Sequence, residues 1–451
     1  MPFIPHTPDD VQAMLATIGV ESVERLFEEI DPELRCQPLQ LPDPLEEWQI
    51  ARLMRQRAAR DRSDLCLIGA GSYAHHIPAV VWQMASRGEF YTAYTPYQAE
   101  ASQGTLQILY EFQTMMAALT GLEAANASMY DGASALAEAI LMAIRLQGPG
   151  KKRRILIPAT LNRRFLSTVQ ALVRDLDIEL VTLPFNTATG ITDPQSLESH
   201  RDDGYCALVI PQPNFFGALE ECDALTDSAH QHGALVIGVV NPVALGLLTP
   251  PGAWGAKGAD IACGEGQPLG APPSSGGPGF GFMCCRTANV RQLPGRIVGS
   301  TVDHHGQRGF VLTLQAREQH IRRSRATSNI CSNQGLMTIA AAIYLSLLGP
   351  DGLKRIALAC HDNATQLLTM LLAIPGVSRV FSQPFFHEVA VRLPTDVTKV
   401  LEKLQQRGIA GGYPLARDYP GMDNTLLICT TETLSREDME RFVATLREVM
   451  A

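Results

Sequence analysis

Apolar positions recur along this chain in two rhythms, and the change from one to the other marks its parts. Between residues 63 and 320, short apolar runs alternate with stretches of helical periodicity. ILIP (155–158), ELVTLP (179–184), ALVIPQP (207–213), ALVIGVV (234–240), ADIAC (259–263) and GFGFMCC (279–285) are expected to be strands. They are apolar nearly throughout rather than at every second position, which suits a mostly parallel sheet covered on both faces. Residues 1–62 read as a helical arm. Thr7-Pro8 places a capping residue before a first-turn proline, and 44–60 repeats the helical pattern with Leu45, Trp48, Ile50, Leu53 and Met54 on one face. An arm that cannot bury such a stripe by itself usually wraps a neighbour, so an oligomer is expected. Residues 321–451 predict two helices (333–348 and 353–373), a strand HEVAVRL (387–393), a helix near 397–407, a strand TLLICT (425–430) and a last helix over 435–450. That is a second, smaller α/β domain.

Composition narrows the class of protein. At 451 residues, 46% hydrophobic and 18% charged, the chain can bury two or three domains' worth of core. Its longest apolar stretch, Ile339 to Leu348, is far short of the ~20 residues that span a bilayer, and its first residues carry no basic start followed by an apolar run. The expectation is a soluble, cytoplasmic protein with no membrane partner. A net charge of −9 argues against a nucleic-acid partner, since phosphate binding needs a concentrated basic footprint. The one dense basic run, Lys151 to Arg154, merely precedes a strand. Ten cysteines (36, 66, 206, 222, 263, 284, 285, 331, 360 and 429) form no C-x-x-C pair and no zinc spacing, so no metal site is expected.

A helical arm, a large central sheet domain and a small C-terminal domain form the layout of fold-type-I enzymes that use pyridoxal phosphate (PLP), an analogy of fold alone. Such an enzyme needs a phosphate cradle, a lysine for the Schiff base and an acid facing the pyridine nitrogen. Ser128, Gly132 and Ser134, in a run of small residues opening into a helix, could offer hydroxyls and main-chain N–H groups to a phosphate; as a bare pattern the run reads more readily as an ordinary helix cap built on Asp131 or Ser128. Only six lysines exist: 151, 152, 257, 354, 399 and 403. Lys257 alone is near the right region, but it precedes its strand, and the turn that follows reads Gly264-Glu265-Gly266-Gln267-Pro268, without an amine. The acid is missing as well, because ALVIGVV runs into Asn241-Pro242, and asparagine supplies no counter-charge for a pyridinium.

Several long strings carry a resemblance that reaches over essentially the whole chain. They are YTAYTPYQAEASQG (91–104) with the following TLQILYEFQTMMAALTG, NASMYDGASALAEA (126–139), GEGQPLG (264–270), SSGGPGFGF (274–282), RGFVLTLQAREQHIRR (308–323) and ATSNICSNQ (326–334). Together they resemble the N-terminal, or alpha, part of the glycine cleavage system P-protein. That family has long forms of two homologous halves and split forms that encode the halves separately; the lysine belongs to the beta half. There it stands eleven residues before the proline of a Gly-Gly-Pro-Gly turn, which here is Pro278 and makes the position Gln267. Asn241-Pro242 departs from the Asp-Pro of many alpha subunits, and Ser324-Arg325 from a more usual acidic-basic pair.

The resemblance implies the non-lysine subunit of glycine decarboxylase (glycine dehydrogenase, aminomethyl-transferring), inactive alone. PLP would be held by the beta subunit in an α2β2 assembly. Glycine would be decarboxylated there and its aminomethyl group passed to the lipoamide arm of the H-protein. On this reading the chain completes its partner's site from across an interface. The residues best suited to that lie in the loop 90–100, where Tyr94 and Tyr97 flank the rigid Thr95-Pro96 step and Glu100 follows; packing at the interface is the alternative. Ser72, Tyr73, His75 and His76 form a second polar loop, expected to be structural. His230 and His232 read as caps. Two other readings stay open: a purely structural or regulatory subunit, and a self-sufficient PLP enzyme using Lys257.

Overall fold

In a computed structural model the chain separates into two compact units, Met1–Arg62 and Ser63–Ala451. Residues 5–36, 39–61, 64–91, 95–148, 150 and 153–450 are described, Tyr91 by its backbone alone.

In the first unit, Thr7 and Asp10 cap the helix Pro8–Ile18 reciprocally. The Thr7 hydroxyl accepts from Asp10 N (3.2 Å) and the Asp10 carboxylate from Thr7 N (2.8 Å). A second helix, Glu47–Ala58, carries the Trp48 and Met54 stripe. Among the described residues of this unit only Leu15 is buried, while Phe27, Leu34, Trp48 and Met54 are exposed.

The second unit is built on a seven-stranded sheet. Its strands are β1 (Ala124–Ala125), β2 (Arg154–Pro158), β3 (Glu179–Leu183), β4 (Ala207–Gln212), β5 (Leu235–Val240), β6 (Ile261–Glu265) and β7 (Gly281–Cys285), in the order β1-β7-β6-β5-β4-β2-β3. The five strands from β6 to β3 are parallel to one another, and β7 runs antiparallel to both β6 and β1. Both faces are covered, and the strand period of two sorts the side chains between them. Ile155, Ile157, Val209, Ile237 and Cys263 pack with the helices Gly132–Gln147 and Arg163–Val173. Their neighbours Leu156, Leu208, Ile210, Val236 and Ala262 pack on the other side with the helices Gln103–Thr120 and Gly335–Leu372. This is why the strands read as continuous apolar runs.

The helix Gly335–Leu372 is, among the described residues, the one long and apolar enough by length and composition to cross a membrane. Met337 to Ala342 and Tyr344 bury it against the sheet, and Gly349 (φ +60°, ψ −177°) breaks it before Pro350. Beyond it lies an antiparallel sheet ordered Ser378–Arg379, Glu388–Arg392, Thr425–Cys429, Tyr413–Pro414, with the helices Val397–Gln405 and Arg436–Met450 sharing its apolar core. A two-residue parallel pairing of Leu65–Cys66 with Ile409–Ala410 ties the start of this unit to its C-terminal part, and so leads the loop 69–76 between the two sheets.

Candidate functional site

At the carboxyl ends of β2, β4, β5 and β6 lies a cavity of about 80 Å³, where open α/β sheets commonly bind ligands. Asn162, Phe165, Phe215, Asn241 and Glu265 line it, and Gly71 and Tyr73 reach it from the loop 69–76.

Glu265, the last residue of β6, points its carboxylate at the start of the helix Gly132–Gln147. Oε2 accepts from Gly132 N (2.8 Å), and Oε1 accepts from Gln267 N (3.0 Å) and Phe280 N (3.2 Å). Burial pushes its pKa up to about 7 even though these bonds favour the ionised form. Glycine at 132 is required for this approach: a Cβ there would stand 2.6 Å from Glu265 N. Two residues on, Gln267 is 5% exposed. Its Nε2 donates to Tyr73 O (2.8 Å) and Ala271 O (2.7 Å), and its Oε1 accepts from Tyr73 N (3.0 Å). Both ends of the amide are satisfied, and they staple the loop to the turn after β6.

A second set of polar groups joins the same loop to the small sheet. Glu388 accepts from Ala70 N (2.7 Å) and from the Tyr73 hydroxyl (2.7 Å), and burial raises its carboxyl to about 7. His75 Nδ1 lies 2.7 Å from Glu432, which also accepts from His76 N (2.7 Å) and from the Cys360 thiol (3.3 Å). Burial pushes the Glu432 carboxyl up, but the His75 bond and charge and the His76 N–H outweigh it and hold it below the usual range. His75, Cys360 and Glu432 bring possible metal-ligating atoms within 4.8 Å of one another. Burial beside Glu432 raises the Cys360 thiol and keeps it protonated, so the trio is a hydrogen-bonded chain. Sequence spacing gave no sign of it, because its members lie far apart along the chain.

The structure disperses the residues singled out from the sequence. Tyr94 lies outside the described residues. Tyr97 is 53% exposed, with the Arg296 guanidinium 5.4 Å from its ring centre and His320 at 5.8 Å. Glu100 is exposed in the adjoining turn. Neither lines the cavity. Of the cradle residues, only Gly132 bonds to a cavity group. The Ser128 hydroxyl accepts from Gln334 N (2.9 Å), and Ser134 forms a capping box with Asp131, its N donating to Asp131 Oδ1 (2.7 Å). The cap is thus realised at Asp131, not at Ser128. Sequence reading missed Glu265 and Glu388; the acidic residue inside GEGQPLG was the available signal for the first.

These residues do not fit PLP. Of the cradle N–H groups, Gly132 N is taken by Glu265 and Ser134 N by Asp131, and the lysine position is filled by a bonded amide. Asn241 turns a buried, unpartnered Nδ2 donor into a place that would need an acid. Lys257 does not repair the gap: it is exposed and precedes β6, at the opposite end of the strand from Glu265.

Comparison with known proteins gives this geometry its context. The glycine cleavage system P-protein family matches residues 1–446. The chain belongs to that family. P-protein relatives named probable glycine dehydrogenase (decarboxylating) subunit 1 include one from Thioalkalivibrio sulfidiphilus, 60% identical, and one from Alcanivorax borkumensis, 57% identical, each aligned over the full length of both chains. A crystal structure of glycine decarboxylase (P-protein) of the glycine cleavage system, in inhibitor-bound form, superposes with a TM-score of 0.90 at 44% identity, covering all of both chains. Lactobacillus brevis glutamate decarboxylase shares the fold at 14% identity, with a TM-score of 0.68 over 95% of this P-protein chain and 96% of its own. The fold is that of fold-type-I PLP enzymes.

Proposed function

We propose that this chain is the lysine-less subunit of a two-subunit glycine decarboxylase, which with a PLP-bearing partner removes the carboxylate of glycine and passes the aminomethyl group to the lipoyl arm of the H-protein. The observation that carries the proposal is Gln267: at the position after β6 where a Schiff-base lysine would stand, an amide is held at both ends by Tyr73 and Ala271. Full-length relatives named subunit 1 support the same reading.

PLP, on the partner, supplies the electron sink for decarboxylation. This chain's own contribution is to shape and close the partner's site. The exposed Tyr97 and Glu100 are the groups suited to reach it, and covering it keeps water from the reacting centre. The exposed apolar residues of the N-terminal unit, Phe27 and Trp48 among them, suit contact with another subunit, here in an α2β2 assembly.

The test uses the chain with and without its lysine-bearing partner. Alone, with PLP and borohydride, it should yield no pyridoxyl-peptide and no exchange of bicarbonate into glycine. With the partner, exchange and aminomethyl transfer should appear together. Recovery of a labelled peptide containing Lys257 from the isolated chain would overturn the proposal.

A further inference from the structure

The start of the helix Gly132–Gln147 is a place made for an anion, and the anion in it is part of the chain. Donors from three separate segments converge on Glu265: Gly132 N from the helix, Gln267 N from the turn after β6, and Phe280 N from the approach to β7. One of them is a helix N-terminal N–H and the other two converge from adjoining loops, and main-chain N–H groups so converging are what hold phosphates in nucleotide- and cofactor-binding proteins. Among the described residues no lysine, arginine or histidine forms an ion pair with Glu265, so its charge rests on main-chain dipoles. Two glycines admit it: a Cβ on Gly132 would press against Glu265 N and Cα (2.6 and 2.9 Å), and one on Gly279 would lie 2.8 Å from Glu265 Oε1.

We propose that Glu265 is the specificity-determining residue that keeps a phosphate-bearing cofactor out of this chain, by seating its own carboxylate on the N–H groups that would otherwise receive the phosphate. The assignment rests on the reading of the chain as the lysine-less subunit and adds a second way in which the cofactor is excluded. The missing lysine removes the covalent bond to the cofactor; the carboxylate removes the phosphate anchor. A phosphate brought to Gly132 N would meet Glu265 at hydrogen-bond distance, and like charges that close disfavour each other. Burial sets the carboxyl near pH 7, so it is ionised at pH 8 and its repulsion is then in force. Asp131 caps the same helix through Ser134 N and is left in place by the test, so any gain in anion affinity belongs to Glu265.

The experiment is anion binding by the full chain at pH 8 in two variants, Glu265→Ala and Glu265→Ser, the serine serving if alanine does not fold. Both remove the charge and free the three N–H groups that Glu265 now occupies, beside the cavity that Glu265 lines. Inorganic phosphate and PLP are titrated at constant ionic strength, with pyridoxal, which lacks the phosphate, as the control. Binding is read by equilibrium dialysis and by the rise in melting temperature that a native-state ligand produces. The variant should bind phosphate and PLP at least tenfold more tightly than the wild type and pyridoxal no better. Equal affinity for phosphate in wild type and folded variants overturns the assignment, as does a gain that pyridoxal shares. Neither result touches the lysine-less reading, which fails only if borohydride fixes PLP to a lysine of the wild-type chain.

Discussion

At the scale of single residues, the site is organised by carboxylates that sequence reading passed over. Glu388 is fully enclosed, bonded to Ala70 N and the Tyr73 hydroxyl, and its carboxyl titrates near pH 7 rather than at the usual 4.5. Between those values the folded chain keeps a proton that the unfolded chain releases. The stability this group contributes is therefore complete below about pH 4.5 and is lost as pH rises through 7, a change of about 3 kcal/mol for a shift of this size. Glu388→Gln keeps an acceptor for Ala70 N and offers the tyrosine oxygen a donor, so it should fold. Its denaturation midpoint should gain steadily on that of the wild type from pH 5 to pH 8; parallel midpoints across that range would remove Glu388 as the titrating group. What could be read at this scale was absence. Six lysines can be counted, so the gap at Gln267 was visible in the sequence. Glu265 and Glu388 were not, because their meaning depends on partners 133 and up to 318 residues away.

At the scale of elements, the strands of the large sheet were legible because burial on both faces leaves a continuous apolar signature. All six expected strands of that sheet are present. The hairpin Ile297–Val302 with Arg308–Thr313 was not legible. Its first strand is buried at one end only, with Ser300 to Val302 exposed, and its turn is held by Asp303, whose carboxylate accepts from His305 N and Gln307 N (2.8 Å each). Strands of two residues, such as Leu65–Cys66, leave no pattern without their partners. The two helices expected at 333–348 and 353–373 are both formed, but they meet directly at Gly349, where Pro350 opens the second. Gly349 sits at φ +60° and ψ −177°, a conformation essentially confined to glycine, with nothing within 4 Å of an added Cβ. Gly349→Ala should therefore cost about 1–3 kcal/mol through backbone strain alone. Gly104→Ala, in open space on the helix Gln103–Thr120, should be neutral or stabilising by up to about 1 kcal/mol. Melting curves of the two variants should move in opposite directions from the wild type, or the second should not move; an equal loss in both would mean that the backbone angles of Gly349 do not set its cost.

At the scale of the whole molecule, incompleteness is legible in the sequence itself: an arm with an apolar stripe, and an enzyme layout without its lysine. The exposed loop after residue 94 is where that incompleteness can be tested. Arg296 is buried and holds Cys331 O (2.9 Å) and Asn333 Oδ1 (3.1 Å). Its Nη2 also reaches the Tyr97 hydroxyl at 3.4 Å. Tyr97 is thus seated on a fixed base while half its surface faces outward. Tyr97→Phe keeps the ring over Arg296, so association with the lysine-bearing partner should survive, as sedimentation would show. If the hydroxyl donates to the partner's reacting centre, its removal takes away one preorganised donor, and turnover in glycine–bicarbonate exchange should fall roughly 10²-fold. Glu100→Gln, which removes a charge and keeps the shape, should lower the same rate without dissociating the subunits. Normal rates in both variants with assembly intact would make the loop a packing element and this chain a structural subunit.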